Sequence, residues 1–198
     1  MVKRSDTSFA FVDLLKASAK KKDLCVGIRL HDDILKLGLI EKNPYIASSL
    51  ISMYAKCGWH AKAQQVLDEL SVRDVVAWNA LIAGHVQQGQ ACAALNYFEH
   101  MKIEGISPDV TTFICILKAS GKERDVDKGK QIHDEIVQRN LLENDSLLGH
   151  ALVDMYIKCG MLSKALSVLE ELPIQDAVSW NALIARYAEQ GQGHVALK

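Results

Sequence analysis

Apolar residues recur along the chain at intervals of three and four, the spacing that places side chains on one face of an α-helix. Phe11, Leu14 and Leu15 form one such stripe, and a second stripe follows a short polar break. The second stripe consists of Leu24, Ile28, His31, Ile34 and Leu35. This pattern predicts two helices joined by a tight turn, and the same pattern continues along the chain.

The paired pattern also repeats at long range. Residues 8–96 align without a gap with residues 110–198, a shift of about 102 residues, and roughly 38 of about 89 positions are identical. Trp78–Ile82 returns as Trp180–Ile184, and the second stripe returns with His133 and Val137 in the places of His31 and Leu35. Chance would give only a handful of identities, so the two copies share one structural plan.

Each copy contains three units, and each unit has the pattern of helix, turn and helix. The units are residues 8–43, 44–74, 75–109, 110–145, 146–176 and 177–198. The last unit stops within its second helix, which we interpret as the end of a segment of a longer protein. Because one helix pair cannot bury its own stripe, the units must stack on their neighbours. We therefore expect an all-α fold in which residues 1–198 form one right-handed α-solenoid.

Glycines mark the predicted turns. A helix often ends at a left-handed residue, and glycine adopts that conformation without a side-chain clash. The glycines at these places are Gly58, Gly89, Gly160 and Gly191.

Composition and charge limit the possible functions. The chain has 198 residues, 49% of them hydrophobic, and three prolines, which suits a helical protein with a substantial core. A net charge of −1 gives no electrostatic case for binding nucleic acid or membranes. Apolar runs fall short of the roughly 20 residues that a membrane helix needs. Residues 1–7 are too few for a targeting peptide, so either there is none or it lies outside this sequence.

Residues with candidate chemistry are sparse. The five cysteines are odd in number and lack metal-ligand spacing, which favours single buried thiols in a reducing compartment. His133-Asp134-Glu135 superficially fits the His-x-Glu of zinc deaminases, but no Pro-Cys-x-x-Cys follows and the tripeptide lies within a predicted helix. We expect no catalytic residue, metal, cofactor or enzyme activity in this segment.

Several motifs give the repeats a more specific interpretation. Val76–Ile82, followed by Phe98–Met101 and Gly105–Asp109, resembles a pentatricopeptide repeat. Met53–Gly58 resembles the short variant of that repeat, and Gly129–His133 resembles the long variant. The alternation of long, short and standard units is similar to the plant PLS subclass, and the resemblance covers essentially the whole chain.

This resemblance implies a function. Proteins of the family bind single-stranded RNA in mitochondria or chloroplasts, one base per repeat, and PLS members mostly specify cytidines for C-to-U editing. The chain would then be the recognition segment of an organellar RNA editing or processing factor. Its partner would be an organellar transcript, with editing-complex proteins or a deaminase domain outside this segment and no membrane.

In the family, the fifth residue of a repeat's first helix and the last residue of the repeat together select the base. Carried over, Asn79 with Asp109 implies uracil, and Ser48 with Asp74 implies a purine, with guanine favoured. The other pairs are His150 with Asp176, Asn181 with a last residue beyond Lys198, Val12 with Asn43, and Ile114 with Asp145.

These other pairs are less informative. His150 with Asp176 is unusual and implies no particular base, whereas Asn181 implies a pyrimidine. Val12 and Ile114 are apolar and cannot hydrogen-bond a base edge, so the long units read little. An asparagine amide, in contrast, offers both a donor and an acceptor, as a Watson–Crick edge requires.

Two further sets of residues would contact RNA. The second residue of each repeat would flank a base by apolar contact, and these residues are Tyr45, Val76, Leu147 and Val178. Lys56 and Lys158 would meet phosphates, but so few positive charges promise only a modest, salt-dependent contribution.

Structural roles offer simpler explanations for many of these residues. Helix capping explains the residues that close the repeats, namely Asn43, Asp74, Asp109, Asp145 and Asp176, because each directly precedes a predicted helix; capping is also compatible with base contact. Core packing explains the recurrent ring side chains, namely Trp78, Trp180, Tyr54, Tyr156, His31 and His133.

The alternative function is a protein-binding helical-repeat scaffold without RNA contact, as in tetratricopeptide solenoids. The near-neutral charge favours this alternative. Asn79 and Asn181 favour RNA, because asparagine is a poor helix former and yet recurs within a first helical turn.

Overall fold

The computed structural model describes residues 4–41, 43–143, 145–172, 177–189 and 191, with side chains from residue 8 onward. The described residues contain eleven helices and no strand, which confirms the all-α prediction. In chain order the helices are α1 (Arg4–Lys21), α2 (Leu24–Lys36), α3 (Pro44–Lys56), α4 (His60–Asp68), α5 (Val75–Gln87), α6 (Ala91–Ile103), α7 (Val110–Glu123), α8 (Val126–Gln138), α9 (Ser146–Lys158), α10 (Leu162–Glu171) and α11 (Ala177–Glu189). None of the described helices is both long and apolar enough to cross a membrane.

The chain divides into two compact units, residues 1–108 and 109–198. In the first unit, α3 packs between α1 and α5, while α2, α4 and α6 each pack against the helix that precedes them. In the second unit, α9 packs against α7 and α11, while α8 and α10 again pack against the helices before them. Each unit is therefore a row of odd-numbered helices, here called first helices, flanked by even-numbered second helices.

The apolar stripes supply the core of each unit. Leu81 and Ile82 of α5 and Leu152 of α9 are fully buried, and Trp78 is nearly so. Trp180, the counterpart of Trp78 in α11, is only half-buried. Complete burial of a side chain of this kind is worth roughly 1.5–3 kcal/mol, so these stripes account for much of the stability of the stack.

The predicted stripes are too wide at three positions. Leu14, Leu35 and Val137 are each more than half exposed. Their chain neighbours Leu15, Ile34 and Ile136 are fully buried. Successive residues lie about 100° apart around a helix, and at these three places the buried face takes in one member of the adjacent pair and leaves the other toward solvent.

The predicted glycine turns are confirmed. Gly58 has a φ of 82° and ends α3 in a Schellman motif, in which the Trp59 amide donates to the Tyr54 carbonyl over 2.9 Å and the Gly58 amide donates to the Ala55 carbonyl over 3.1 Å. Gly89, Gly160 and Gly191 have φ values of 80°, 75° and 71°. A side chain in this left-handed region would be strained.

Two small residues bring α3 and α5 close together. A Cβ atom built on Gly84 would lie 2.2 Å from the Cβ atom of Ala55, so only glycine fits at this crossing. In the second copy, Ile157 and Arg186 occupy the corresponding places, and α9 and α11 pack less extensively than α3 and α5. Because the side chains at a crossing set the distance between two helices, this pair determines how near the two first helices lie.

A histidine and a tyrosine meet in the core of each copy. His31 of α2 lies against Tyr54 of α3, and His133 of α8 lies against Tyr156 of α9. All four side chains are buried, which confirms their predicted place in the core.

Candidate nucleic-acid interface

The residues that close the repeats cap the helices that follow them. The Asn43 amide oxygen accepts from the Tyr45 amide N–H at 2.9 Å. The remaining caps are Asp74 to the Ala77 N–H at 2.8 Å, Asp109 to the Thr112 N–H at 2.8 Å, and Asp145 to the Leu148 N–H at 2.9 Å. The capping prediction is confirmed for these four residues, and Asp176 lies outside the described residues.

Asp109 has a more elaborate cap than the others. Thr112, three residues into α7, returns a bond to the cap: the Asp109 N–H donates to the Thr112 hydroxyl oxygen over 3.1 Å. The Thr112 hydroxyl in turn donates to Asp109 Oδ1 over 3.0 Å. This reciprocal arrangement is a capping box, and it gives the Asp109 carboxylate two donors, both on Oδ1, instead of one. Thr112 was not among the sequence-predicted site residues, although an aspartate followed three residues later by threonine is a recognisable signal.

The fifth residues of the first helices differ in their exposure. Ser48 is half-buried, and its hydroxyl donates to the Tyr45 carbonyl over 3.2 Å. Asn79 is only 8% exposed, whereas Asn181 in α11 is exposed and His150 is half-buried. The apolar members Val12 and Ile114 are buried and half-buried, respectively. An asparagine this deeply placed has a fixed side chain, with one edge at most within reach of a ligand.

Asp74 also lines a cavity within the first unit. The cavity has a volume of about 300 Å³ and lies between the N-terminal ends of α3 and α5, with Ala47 and Ala77 among its lining residues. Ser48, the proposed partner of Asp74 in base selection, does not line this cavity. The two residues therefore belong to neighbouring first helices without sharing one enclosed pocket.

The second residue is exposed in each short unit (44–74 and 146–176) and in each standard unit (75–109 and 177–198). The exposed fractions are 62% for Tyr45, 43% for Val76, 66% for Leu147 and 77% for Val178. These side chains take no part in the core, and each lies within two residues of the cap position. A repeated apolar side chain in solvent, next to a fixed polar group, is suited to a flat apolar ligand with a polar edge.

The two lysines proposed for phosphate contact are not equivalent. Lys158 Nζ lies 2.7 Å from Asp154 Oδ2, four residues earlier on the exposed face of α9. Ser52 stands in the place of Asp154 in the first copy, so Lys56 has no acidic residue at that spacing. The positive charge of Lys158 at the end of α9 is therefore partly neutralised by Asp154. The charge of Lys56 at the end of α3 has no such carboxylate four residues earlier.

A ring cluster in the first unit was not predicted from the sequence. His60 of α4 stacks on His85 of α5 with ring centroids 4.3 Å apart, and His85 lies 4.8 Å from the Tyr97 ring. Burial lowers the pKa of both histidines, and a hydrogen bond from His85 Nδ1 to Gln90 Oε1, 2.7 Å long, opposes that shift at His85. Leu162 and Tyr187 replace the two histidines in the second copy, so the repeat pattern carried no signal for the cluster.

The other residues with candidate chemistry are the cysteines and the possible metal ligands. All five cysteines are free thiols, but the prediction that they are buried is wrong for Cys25 and Cys92, which are exposed, while the other three are half-buried. Burial raises the pKa of Cys57, Cys115 and Cys159, which disfavours the nucleophilic thiolate. In the part of the chain that the structure describes, no group of three or more histidine, cysteine, aspartate or glutamate side chains could hold a metal ion.

Comparison with family models gives matches over much of the chain. Residues 73–122 match the model described as "PPR repeat family", and residues 45–75, 150–173 and 178–198 match the model described as "PPR repeat".

Several relatives are named as pentatricopeptide repeat-containing proteins. A putative pentatricopeptide repeat-containing protein of Arabidopsis thaliana is 39% identical over 190 residues, covering 96% of this chain and 23% of the relative. A chloroplastic protein of that kind from the same plant is 38% identical over 187 residues, covering 94% and 30%. A putative mitochondrial one is 35% identical over 198 residues, covering 98% and 31%. The chain thus spans less than a third of each of these relatives.

Solved structures show the same architecture. The pentatricopeptide repeat protein PPR10 from maize matches with a TM-score of 0.73 at 18% identity, over 94% of this chain and 27% of that one. PPR10 in complex with an 18-nucleotide psaJ RNA element matches with a TM-score of 0.72 at 20% identity, over 87% and 26%. The predicted α-solenoid of helical repeats is confirmed.

Proposed function

Because this chain belongs to the pentatricopeptide repeat family, we propose that it binds single-stranded RNA in a sequence-specific manner, one base per repeat. It serves as the recognition segment of an organellar factor of the PLS subclass, acting in C-to-U editing or in RNA processing. The relatives named chloroplastic and mitochondrial support an organellar location. The editing chemistry would come from a deaminase domain or an editing-complex partner outside this segment.

One observation carries the proposal: exposed apolar side chains recur at the second position of their repeats, and Tyr45, Val76 and Leu147 each lie two residues after a helix cap. Tyr45, Val76, Leu147 and Val178 contribute nothing to the core, yet they recur at the second position of their repeats. A planar base placed against such a side chain would bury apolar surface whatever its identity. The capping polar residue two positions before it would then meet the edge of the base.

Base selection rests on the side chains between these contacts. We assign uracil to Asn79 with Asp109, and a purine, guanine favoured, to Ser48 with Asp74. Asn79 is 8% exposed, so its amide is held in place before RNA arrives, and less side-chain entropy is lost on binding. Asn181 would read a pyrimidine, and His150 with Asp176 is left without an assigned base.

Phosphate contacts contribute little in this proposal. A net charge of −1 over 198 residues means that few counterions are displaced when RNA binds. Lys56 is the stronger candidate for a phosphate contact, since Lys158 is paired with Asp154.

A protein-binding scaffold remains the second candidate function, and a specific observation favours it. Large aliphatic side chains are exposed away from the register of the second residues, namely Leu35, Leu37, Val72 and Ile103. A scaffold would require such side chains to form one contiguous apolar patch, which is the kind of surface found at protein–protein contacts. A scaffold would bind proteins through these residues and would leave RNA unselected.

Selection from a pool of randomised short RNAs tests the proposal. The full chain should enrich uridine at one position, and a variant with Asn79→Thr and Asp109→Asn should move that preference toward adenosine, as the family pattern implies. Tyr45→Ala with Val76→Ala should weaken binding to all bases alike. Recovery of unselected RNA by the wild-type chain, or an unchanged preference in the double variant, would reject sequence-specific reading.

A further inference from the structure

The caps of the first helices are not equally rigid. Asp74, Asp109 and Asp145 each accept a backbone N–H from the third residue of the helix that follows. At that third position stand Ala77, Thr112 and Leu148, and only threonine has a hydroxyl that can bond back to the aspartate. Asp109 thus differs from the other two aspartates in having a hydroxyl at the third position of the following helix.

The Thr112 hydroxyl fixes the rotation of the Asp109 carboxylate. Two donors, the Thr112 N–H at 2.8 Å and the Thr112 hydroxyl at 3.0 Å, end on the same oxygen, Oδ1. The Asp109 N–H donates back to that hydroxyl over 3.1 Å, which fixes the threonine in turn. A carboxylate held by two donors on one oxygen cannot rotate without breaking both bonds, so the direction of Oδ2 is set as well.

Thr112 itself is not available to a ligand. Its side chain is completely buried, so RNA bound at the surface cannot touch it. An influence of Thr112 on an RNA base would therefore be indirect, and its hydrogen bonds to Asp109 provide one route.

We propose that Thr112 is a positioning residue for base selection, because it holds the carboxylate of Asp109 in the orientation that reads the base of its repeat. The inference rests on the proposed function and adds to it a residue outside the fifth and last positions. It also ranks the repeats of this chain: the Asp109 position discriminates between bases more sharply than the Asp74 position, where Ala77 leaves the carboxylate with a single backbone donor.

The converse substitution, which adds a hydroxyl instead of removing one, can be made at Ala77. Ala77 lines the cavity of about 300 Å³ next to Asp74, so a threonine at this place has room for its two extra heavy atoms. Ala77→Thr would give Asp74 the capping box that Asp109 has, and it should raise discrimination at the position read by Asp74.

The test compares base enrichment from the randomised RNA pool for the 198-residue wild-type chain and for its variants Thr112→Val, Thr112→Ser and Ala77→Thr. Valine keeps the size of threonine without the hydroxyl, and serine keeps the hydroxyl. In Thr112→Val, discrimination between bases at the Asp109 position should fall about fivefold, because a change of that size corresponds to the net contribution of one hydrogen bond. Discrimination at the Asp74 position should be unchanged in Thr112→Val and should rise in Ala77→Thr, and Thr112→Ser should behave as wild type.

Thermal unfolding of each variant separates positioning from simple stabilisation. A purely structural role would lower the unfolding temperature and weaken binding to all four bases equally, which would overturn the inference. Wild-type preference retained in Thr112→Val would also overturn it, while leaving the proposed function intact. A wild-type chain that selects no base at any position would remove the proposed function, and this inference with it.

Discussion

The Nδ1 atom of His31 lies 2.9 Å from the hydroxyl oxygen of Tyr54, and the rings meet edge to face with centroids 5.5 Å apart. His133 and Tyr156 repeat the contact in the second copy at 2.9 Å and 5.6 Å. Each contact joins the second helix of a long unit to the first helix of the following short unit. A buried polar pair at this boundary stabilises the stack only while both partners are present.

Removal of the hydroxyl group should therefore destabilise the fold. In Tyr54→Phe the Nδ1 atom of His31 would lose its partner, and its Nε2 atom has no hydrogen-bond partner among the described residues. We expect a loss of about 1–2 kcal/mol in the free energy of unfolding, measured by urea denaturation. Tyr45→Phe removes the same group from an exposed side chain and should change the value by less than about 0.5 kcal/mol. Equal effects of the two substitutions would contradict a stabilising role for the pair.

Acid should destabilise the protein before its carboxylates titrate. Burial, reinforced by Lys62 near His31 and Lys164 near His133, lowers the pKa of both imidazoles below the usual histidine value of 6.5. The unfolded chain then binds more protons than the folded chain as the pH falls below about 6.5, so acid favours unfolding. Urea midpoints at pH 7.5 and pH 5.5 should show the loss. A chain with His31→Gln and His133→Gln should lose less between the two pH values, even if it starts from lower stability.

The same histidine–tyrosine pairs predict that the stability of the fold declines at high pH. Burial raises the pKa of Tyr54 and of Tyr156 to about 12, above the value of 10.0 for a free phenol. Above pH 10 the unfolded chain releases these protons while the folded chain retains them, so stability should decline as the pH rises toward 12. Tyr54→Phe with Tyr156→Phe should flatten this decline in a denaturation series, and an equally steep decline would assign it to other groups.

A Cβ atom should be far less tolerable at Gly84 than at Gly27. At Gly84 the added atom would lie 2.2 Å from Ala55 Cβ, which moves only with the backbone of α3. At Gly27 it would lie 2.4 Å from Met53 Sδ, part of a flexible side chain that can turn away. We expect Gly84→Ala to cost about 2–3 kcal/mol in the free energy of unfolding. Gly27→Ala should cost less than half of that, and the reverse order would refute this account of the crossing.

Two substitutions of Asp74 should distinguish its role as a helix cap from its proposed role in base selection. Asparagine caps a helix about as well as aspartate, so Asp74→Asn should change the free energy of unfolding by less than about 0.5 kcal/mol, whereas Asp74→Ala should cost about 1 kcal/mol. Asn also replaces one carboxylate oxygen by an amide donor, so base enrichment from the randomised pool should change at that position. Unchanged enrichment in a stable Asp74→Asn variant would confine Asp74 to capping.

Local and repeated features were predictable from the sequence, and for a physical reason. The caps, the glycine turns and the helix pairs depend on residues a few positions apart, and their recurrence in two copies doubled each signal. The His31–Tyr54 pair was placed in the core because both residues recur on apolar stripes, although their mutual hydrogen bond was not foreseen.

Features that depend on packing between helices were not predictable in the same way. The exposure of Leu14 and Leu35 depends on which side of a helix has a neighbour, and apolar spacing does not specify this. The stack of His60 on His85 arises where α4 meets α5 and occurs in one copy only. The burial of Asn79 is likewise a tertiary property that a favourable local motif could not reveal.

The close crossing at Ala55 and Gly84 has a consequence for the register of a bound strand. In the proposed function, consecutive first helices read consecutive bases, so the rise from helix to helix must match the rise from nucleotide to nucleotide. Small residues at the crossing of α3 and α5 would allow a short step, and the larger Ile157 and Arg186 at the corresponding places of α9 and α11 would favour a wider one. Residues that never touch RNA would thus set the pitch at which the strand is held, independently of the residues that choose its bases.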